Sequence, residues 1–127
     1  DLMRALARAG VHPAYDALWL ESYHEARESS GRVVVRADLS KSVVGRGILL
    51  VDDVYDSGRT IAFARTHVLA KGAREVRVCA LASKPGAPSD GVEHCGFSLP
   101  DRFLVGYGMD DGGLYRGLPY VGAVDAD

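Results

Sequence analysis

Between Gly47 and Gly72 the chain changes character twice within a few residues. The apolar run Ile48-Leu-Leu-Val51 leads into Asp52 and Asp53, a third carboxylate at Asp56, and the small turn Ser57-Gly58. Ile61, Ala64, Val68 and Leu69 then recur at helical spacing over 58–71, and Gly72 supplies a stop. A continuous apolar run suits a strand buried on both faces, as in a parallel sheet. The segment therefore predicts strand, turn and helix, with polar groups gathered at the strand's carboxyl end. Ligands of open α/β sheets bind there. The start of a helix offers unpaired N–H groups and a partial positive charge, a natural seat for phosphate. Ser57 and Thr60 add hydroxyl donors, and Gly58 lets the backbone approach closely. A helix cap needs one such side chain, not three carboxylates and two hydroxyls within nine positions. The turn is neither a Walker A loop nor a Gly-x-Gly-x-x-Gly dinucleotide turn.

The rest of the chain extends the same alternation. Leu2, Ala5, Leu6 and Ala9 predict a helix closed by Gly10. Strands are expected at Tyr15–Leu20, Val33–Ala37, Gly47–Asp52, Glu75–Ala82 and Phe103–Tyr107. Residues 21–31 are polar and read as a long exposed loop, and long loops often serve as lids or binding loops. Residues 84–91 carry every turn signal, and 108–119 are glycine-rich and irregular. The expectation is one α/β domain over 1–127, a mostly parallel sheet with flanking helices and a protruding lid loop or hairpin.

Composition narrows the function. A length of 127 residues is that of one domain. The formal charge of −2 gives no general field for nucleic acid or anionic membrane. The longest apolar run, Val78–Ala82, is far short of the ~20 residues of a bilayer span. Two cysteines and four scattered histidines make neither a disulfide framework nor a metal cluster. A reducing, cytoplasmic setting is expected.

The run Ile48–Thr60 resembles the phosphoribosyl-pyrophosphate (PRPP) signature of the type I phosphoribosyltransferases. Further segments resemble their 6-oxopurine (hypoxanthine-guanine) branch. Glu21-Ser-Tyr23 is similar to the catalytic lid, and Ala82-Ser-Lys-Pro85 to the segment with the base-reading lysine. Leu99–Asp110 is similar to the purine pocket, and Tyr115–Pro119 to the terminal arginine element. Taken singly, Lys84 would read as a solvated loop lysine, Phe103 as core and Arg116 as surface charge. Their joint order along the chain carries the resemblance.

The resemblance implies transfer of ribose 5-phosphate from PRPP to N9 of hypoxanthine or guanine, and extends to xanthine. IMP or GMP and pyrophosphate would be the products, in purine salvage. It implies that Asp52 and Asp53 hold the ribose hydroxyls and Mg²⁺, that Asp56 is the general base near N7, and that Asp56, Ser57, Gly58, Arg59 and Thr60 cradle the 5′-phosphate. Lys84 would donate to O6, Phe103 would stack on the ring and the Leu104 backbone would meet its edge. Asp110 would sit near a second Mg²⁺ and Arg116 near the pyrophosphate, while Ser22 and Tyr23 would belong to a water-excluding lid. An ammonium only donates, so it favours a carbonyl over adenine's amino group. A homo-oligomer is implied at full length.

Some positions depart from the family. Tyr55 stands where an aliphatic residue is usual, the lid reads His24-Glu-Ala-Arg-Glu28, and Gly112-Gly113 enlarge the last loop. The chain also opens on Asp1 inside a helical pattern. That predicts a fragment lacking an N-terminal strand and pyrophosphate-binding loop, and weak in isolation. The alternative reading is a non-enzymatic PRPP sensor on the same fold, which would want a basic face.

Overall fold

The computed structural model describes residues 1–23 and 32–124. They form two compact units, Asp1–Ser42 and Val43–Asp127.

In the first unit, α1 spans Leu2–Arg8 and the chain leaves it through Gly10 at φ +78°. Strands β1 (Trp19–Tyr23) and β2 (Arg32–Ala37) pair antiparallel, with Leu20 opposite Val35 and Tyr23 opposite Arg32. The strand expected at Tyr15–Leu20 thus begins at Trp19 and runs on into the expected loop. The reason lies at Asp16. Its carboxylate accepts the N–H groups of Ser40 and Lys41 at 2.9 and 2.8 Å and the Ser40 hydroxyl at 3.0 Å. The Lys41 ammonium donates to the Tyr15 carbonyl at 2.8 Å. These bonds occupy 15–16 outside any ladder, and the first of them, the Lys41 N–H, holds the Asp16 carboxyl below its ordinary pKa. Of the lid expected at 21–31, residues 21–23 belong to β1, and residues 24–31 lie outside the described residues.

The second unit is built on a parallel sheet. Strands β3 (Gly47–Tyr55), β4 (Glu75–Ser83) and β5 (His94–Ser98) lie in the order β3-β4-β5. Helix α2 (Arg59–Ala70) makes the crossover between β3 and β4. Ile61, Ala64 and Val68 of α2 are buried, as are Val76, Val78, Ala80 and Ala82 of β4. Tyr55, Ile61, Val78 and Ala80 form one core cluster, with Leu50, Ala87 and Val92 packed against it. Two expectations are corrected here. Leu69 is 44% exposed on the outer side of α2. The run in β3 is not buried on both faces, since Leu49 and Val51 are exposed where Leu50 is half-buried. A helix covers the face that Leu50 shares with Val78, its register partner.

Two strands had no sequence signal. β5 reads His-Cys-Gly-Phe-Ser, exposed throughout and without a β-branched residue. The other is β7 (Gly122–Val124), which pairs antiparallel with β6 (Phe103–Val105). The expected strand Phe103–Tyr107 stops at Val105. Gly106, at φ +85°, bridges back to Met109, and any Cβ there would collide with the Tyr120 carbonyl. No helix among the described residues is long and apolar enough to cross a membrane.

Candidate active site

The carboxylates of β3 alternate with its pleat. Asp52 is half-buried and Asp53 exposed. Burial pushes the Asp52 carboxyl up to about 6, and the negative charge of Asp53 pushes it the same way. The Asp53 N–H donates to Asp52 at 3.1 Å, and the Val54 N–H to Asp53 at 2.7 Å. Beyond Tyr55 the chain turns through Asp56 and Ser57 to Gly58, which enters α2 at φ +74° with no side-chain cap. That conformation is open to glycine and strained for residues with a Cβ. The first turn of α2 thus presents its N–H groups without a capping side chain.

Lys84 follows directly on β4. Its N–H donates to the Tyr55 carbonyl at 2.9 Å, so its backbone is tied to the end of β3. Its ammonium stands 4.0 Å from Asp56 and 3.7 Å from Asp101, and the side chain is only 19% exposed. In β6, Phe103 shows its ring to solvent while Leu104 is buried. After β6 the chain folds back on itself. The Arg116 guanidinium meets the Asp110 carboxylate at 2.6 Å and donates to the Gly108 carbonyl at 2.7 Å. The other Asp110 oxygen accepts the Gly113 N–H at 2.7 Å, so Gly112-Gly113 close a turn around this carboxylate.

These elements share one cleft of about 330 Å³. Seven residues anticipated from sequence line it: Asp53, Asp56, Lys84, Phe103, Leu104, Asp110 and Arg116. Asp52 and the turn residues Ser57, Gly58, Arg59 and Thr60 adjoin this lining in sequence without belonging to it. Ser22 and Tyr23 close β1 in the first unit. Sequence reasoning missed Val54 and Met109 in the lining, and Asp101 beside Lys84. Asp101 was within reach, since it lies in the same Leu99–Asp110 segment. Met109 lies in that segment too; it is buried, and its backbone is bridged to Gly106.

Carboxylate oxygens are ligands for hard divalent cations. Among the described residues no three His, Cys, Asp or Glu side chains are grouped to hold a metal by themselves. Mg²⁺ is commonly held by one or two carboxylates together with substrate oxygens and water. Asp53 and Asp110, which both line the cleft, are the carboxylates that could contribute to such a partial set, and Asp52 precedes Asp53 in β3.

The phosphoribosyl transferase domain family model matches residues 19–111. The hypoxanthine-guanine phosphoribosyltransferase of Mycobacterium bovis is 38% identical over 127 residues, covering 98% of this chain and 61% of that protein. The enzyme of the same name from Staphylococcus epidermidis is 31% identical, covering 96% of this chain and 69% of its own length. Among solved structures, the hypoxanthine-guanine phosphoribosyltransferase of L. donovani superposes with a TM-score of 0.87 at 32% identity, over 98% of this chain and 68% of that one. The chain thus spans about three fifths of the Mycobacterium bovis relative. A cleft beyond the strand ends, a helix start left without a side-chain cap and these matches agree, and the chain belongs to the phosphoribosyl transferase domain family.

Proposed function

We propose that this protein is a purine salvage transferase that moves ribose 5-phosphate from PRPP to N9 of hypoxanthine or guanine, with xanthine a further acceptor. The observation that carries the reading is the Lys84–Asp56 pair beside the exposed Phe103 ring in one cleft. An ammonium donor and a carboxylate acceptor near an aromatic face complement a flat base with a carbonyl on one edge and a ring nitrogen beside it.

Lys84 donates to O6, and the Asp56 carboxylate takes the proton at N7. Phe103 stacks on the ring while the Leu104 backbone meets its edge. Asp56, Ser57, Gly58, Arg59 and Thr60 hold the 5′-phosphate at the start of α2, where the dipole favours negative charge. Asp52 and Asp53 accept from the ribose hydroxyls. Arg116 turns toward the departing pyrophosphate, with Asp110 as its resting partner. Asp52, Asp53 and Asp110 would hold Mg²⁺, which when bound with PRPP neutralises pyrophosphate charge. Ser22 and Tyr23 belong to a segment that excludes water from the reacting centre. The enzyme works in the cytoplasm, as a homo-oligomer at full length.

The test is nucleotide formation from PRPP and Mg²⁺ with hypoxanthine, guanine, xanthine and adenine in parallel. It is run on this chain and on a form extended upstream. Oxopurine turnover without adenine turnover is expected, and Asp56→Asn should lower it by about 10²–10⁴-fold while PRPP still binds. PRPP binding without turnover in either form would favour a sensor. Unchanged turnover in Asp56→Asn would remove Asp56 as the base.

A further inference from the structure

Tyr55 is a bulky polar-tipped residue at the point where β3 ends and the phosphate turn begins, yet it is only 4% exposed. It belongs to one buried cluster with Ile61 of the first turn of α2 and Val78 and Ala80 of β4, and Ala87 and Val92 of the loop after β4 pack against that cluster. Two glycines mark where its tip goes. A Cβ on Gly58 would come within 2.8 Å of the Tyr55 hydroxyl, and a Cβ on Gly91 would fall inside that hydroxyl and 2.8 Å from Cζ. Neither distance is open to real side chains. The tip therefore fills the space between the cap of α2 and the far end of the 84–93 loop.

That loop is itself held at both ends. Lys84 N–H donates to the Tyr55 carbonyl at 2.9 Å, and Glu93 N–H to the Val78 carbonyl at 3.1 Å. Arg65 of α2 reaches the Gly91 carbonyl at 3.4 Å and the Glu93 carboxylate at 2.9 Å. A wedge clamped from behind by an anchored loop resists movement of what lies in front of it, because packed interiors yield little.

We propose that the Tyr55 side chain is a positioning residue for the phosphate turn Asp56–Thr60, acting as a wedge between Gly58 and Gly91. It touches no ligand in this scheme; it fixes where the α2 cap stands. The proposal deepens the phosphoribosyl-transfer reading and rests on it for its kinetic readout. The packing readout is independent of that reading.

Gly91 is the informative partner, since its backbone is not in the left-handed region and alanine there differs only by the added carbon. The experiment compares wild type, Tyr55→Phe, Tyr55→Leu, Gly91→Ala and the double variant Tyr55→Leu/Gly91→Ala. Thermal unfolding, PRPP binding by calorimetry, and the KM for PRPP and for hypoxanthine are measured for each. Tyr55→Leu should raise the KM and Kd for PRPP about tenfold, with hypoxanthine KM changed less than about threefold. Tyr55→Phe, which keeps the ring, should restore most of the PRPP affinity. Gly91→Ala should lower Tm by several degrees, and by less once Tyr55 is leucine, because the added carbon then has room. A fall in Tm for Tyr55→Leu with PRPP affinity and KM unchanged makes Tyr55 a core residue only and overturns the proposal. Strict additivity of the two substitutions in Tm overturns the wedge. A wild type that binds PRPP without forming nucleotide defeats the transfer reading alone, and the Kd series then decides on Tyr55. A wild type that binds no PRPP defeats both.

Discussion

The Lys84 ammonium stands 4.0 Å from the Asp56 carboxylate, across a strand-to-strand step of the parallel sheet. The two residues follow Tyr55 and Ser83, which are register partners at the ends of β3 and β4. Sheet register thus brings a cation from one loop and an anion from another to the same cleft. Neither needs its neighbour in sequence for this.

Replacing Lys84 with glutamine removes the ammonium while leaving its backbone tie to Tyr55. A lost charged hydrogen bond is worth about 1.5–3 kcal/mol, so kcat/KM for hypoxanthine and guanine should fall about 10–100-fold. Selectivity against adenine should narrow, because the amide can accept as well as donate. Steady-state kinetics with the three bases check this, and unchanged oxopurine kinetics would show that Lys84 does not read O6.

Arg116→Ala opens the ion pair with Asp110. That pair is 60% and 29% exposed on its two sides, so folding stability should change by less than about 1 kcal/mol. PRPP affinity should fall far more than stability does. Calorimetric titration beside a thermal melt separates the two, and equal small effects on both would leave Arg116 a surface charge.

The Glu93 carboxyl is held below its ordinary 4.5, first by the Val78 N–H at 2.6 Å and then by Arg65. A carboxyl with a depressed folded-state pKa contributes stability above its unfolded pKa and loses it as pH falls through the folded value. Glu93→Gln should therefore lower Tm at neutral pH by the equivalent of about 1 kcal/mol, a figure reduced for the exposure of this pair. The gap between wild type and variant should close as pH drops below 4.5. A gap that stays constant through that range would mean that the carboxylate's charge contributes nothing.

Val78 is fully buried at the centre of β4, against Tyr55 and Ile61. Val78→Ala should cost about 2 kcal/mol, from the lost methyl groups and the space they leave. Chemical denaturation measures this directly. A cost under about half that would mean that the core around α2 collapses onto the gap.

Some of this molecule was legible in local sequence. An apolar run, a cluster of short polar residues and an i, i+3, i+7 pattern sufficed for β3, the polar turn after it and α2, since each depends on neighbours within a few residues. Gly58 was read as a place of close backbone approach at the start of the helix, and the structure makes it the left-handed cap just before Arg59. The grouping of Asp53, Asp56, Lys84, Phe103, Asp110 and Arg116 was legible as a motif order, and the cleft lining contains all six.

What tertiary structure alone decided concerns residues whose partners are distant in sequence. Asp16 left the expected strand because Ser40 and Lys41 offered it three donors. β5 and β7 exist because β4 and β6 present unpaired edges, not because their own residues favour strand. Tyr55 read as a departure from a pattern until Gly58 and Gly91 were seen on either side of its hydroxyl. Backbone donors, sheet edges and free volume are supplied by whatever the fold brings near, so no window of neighbouring residues carries them.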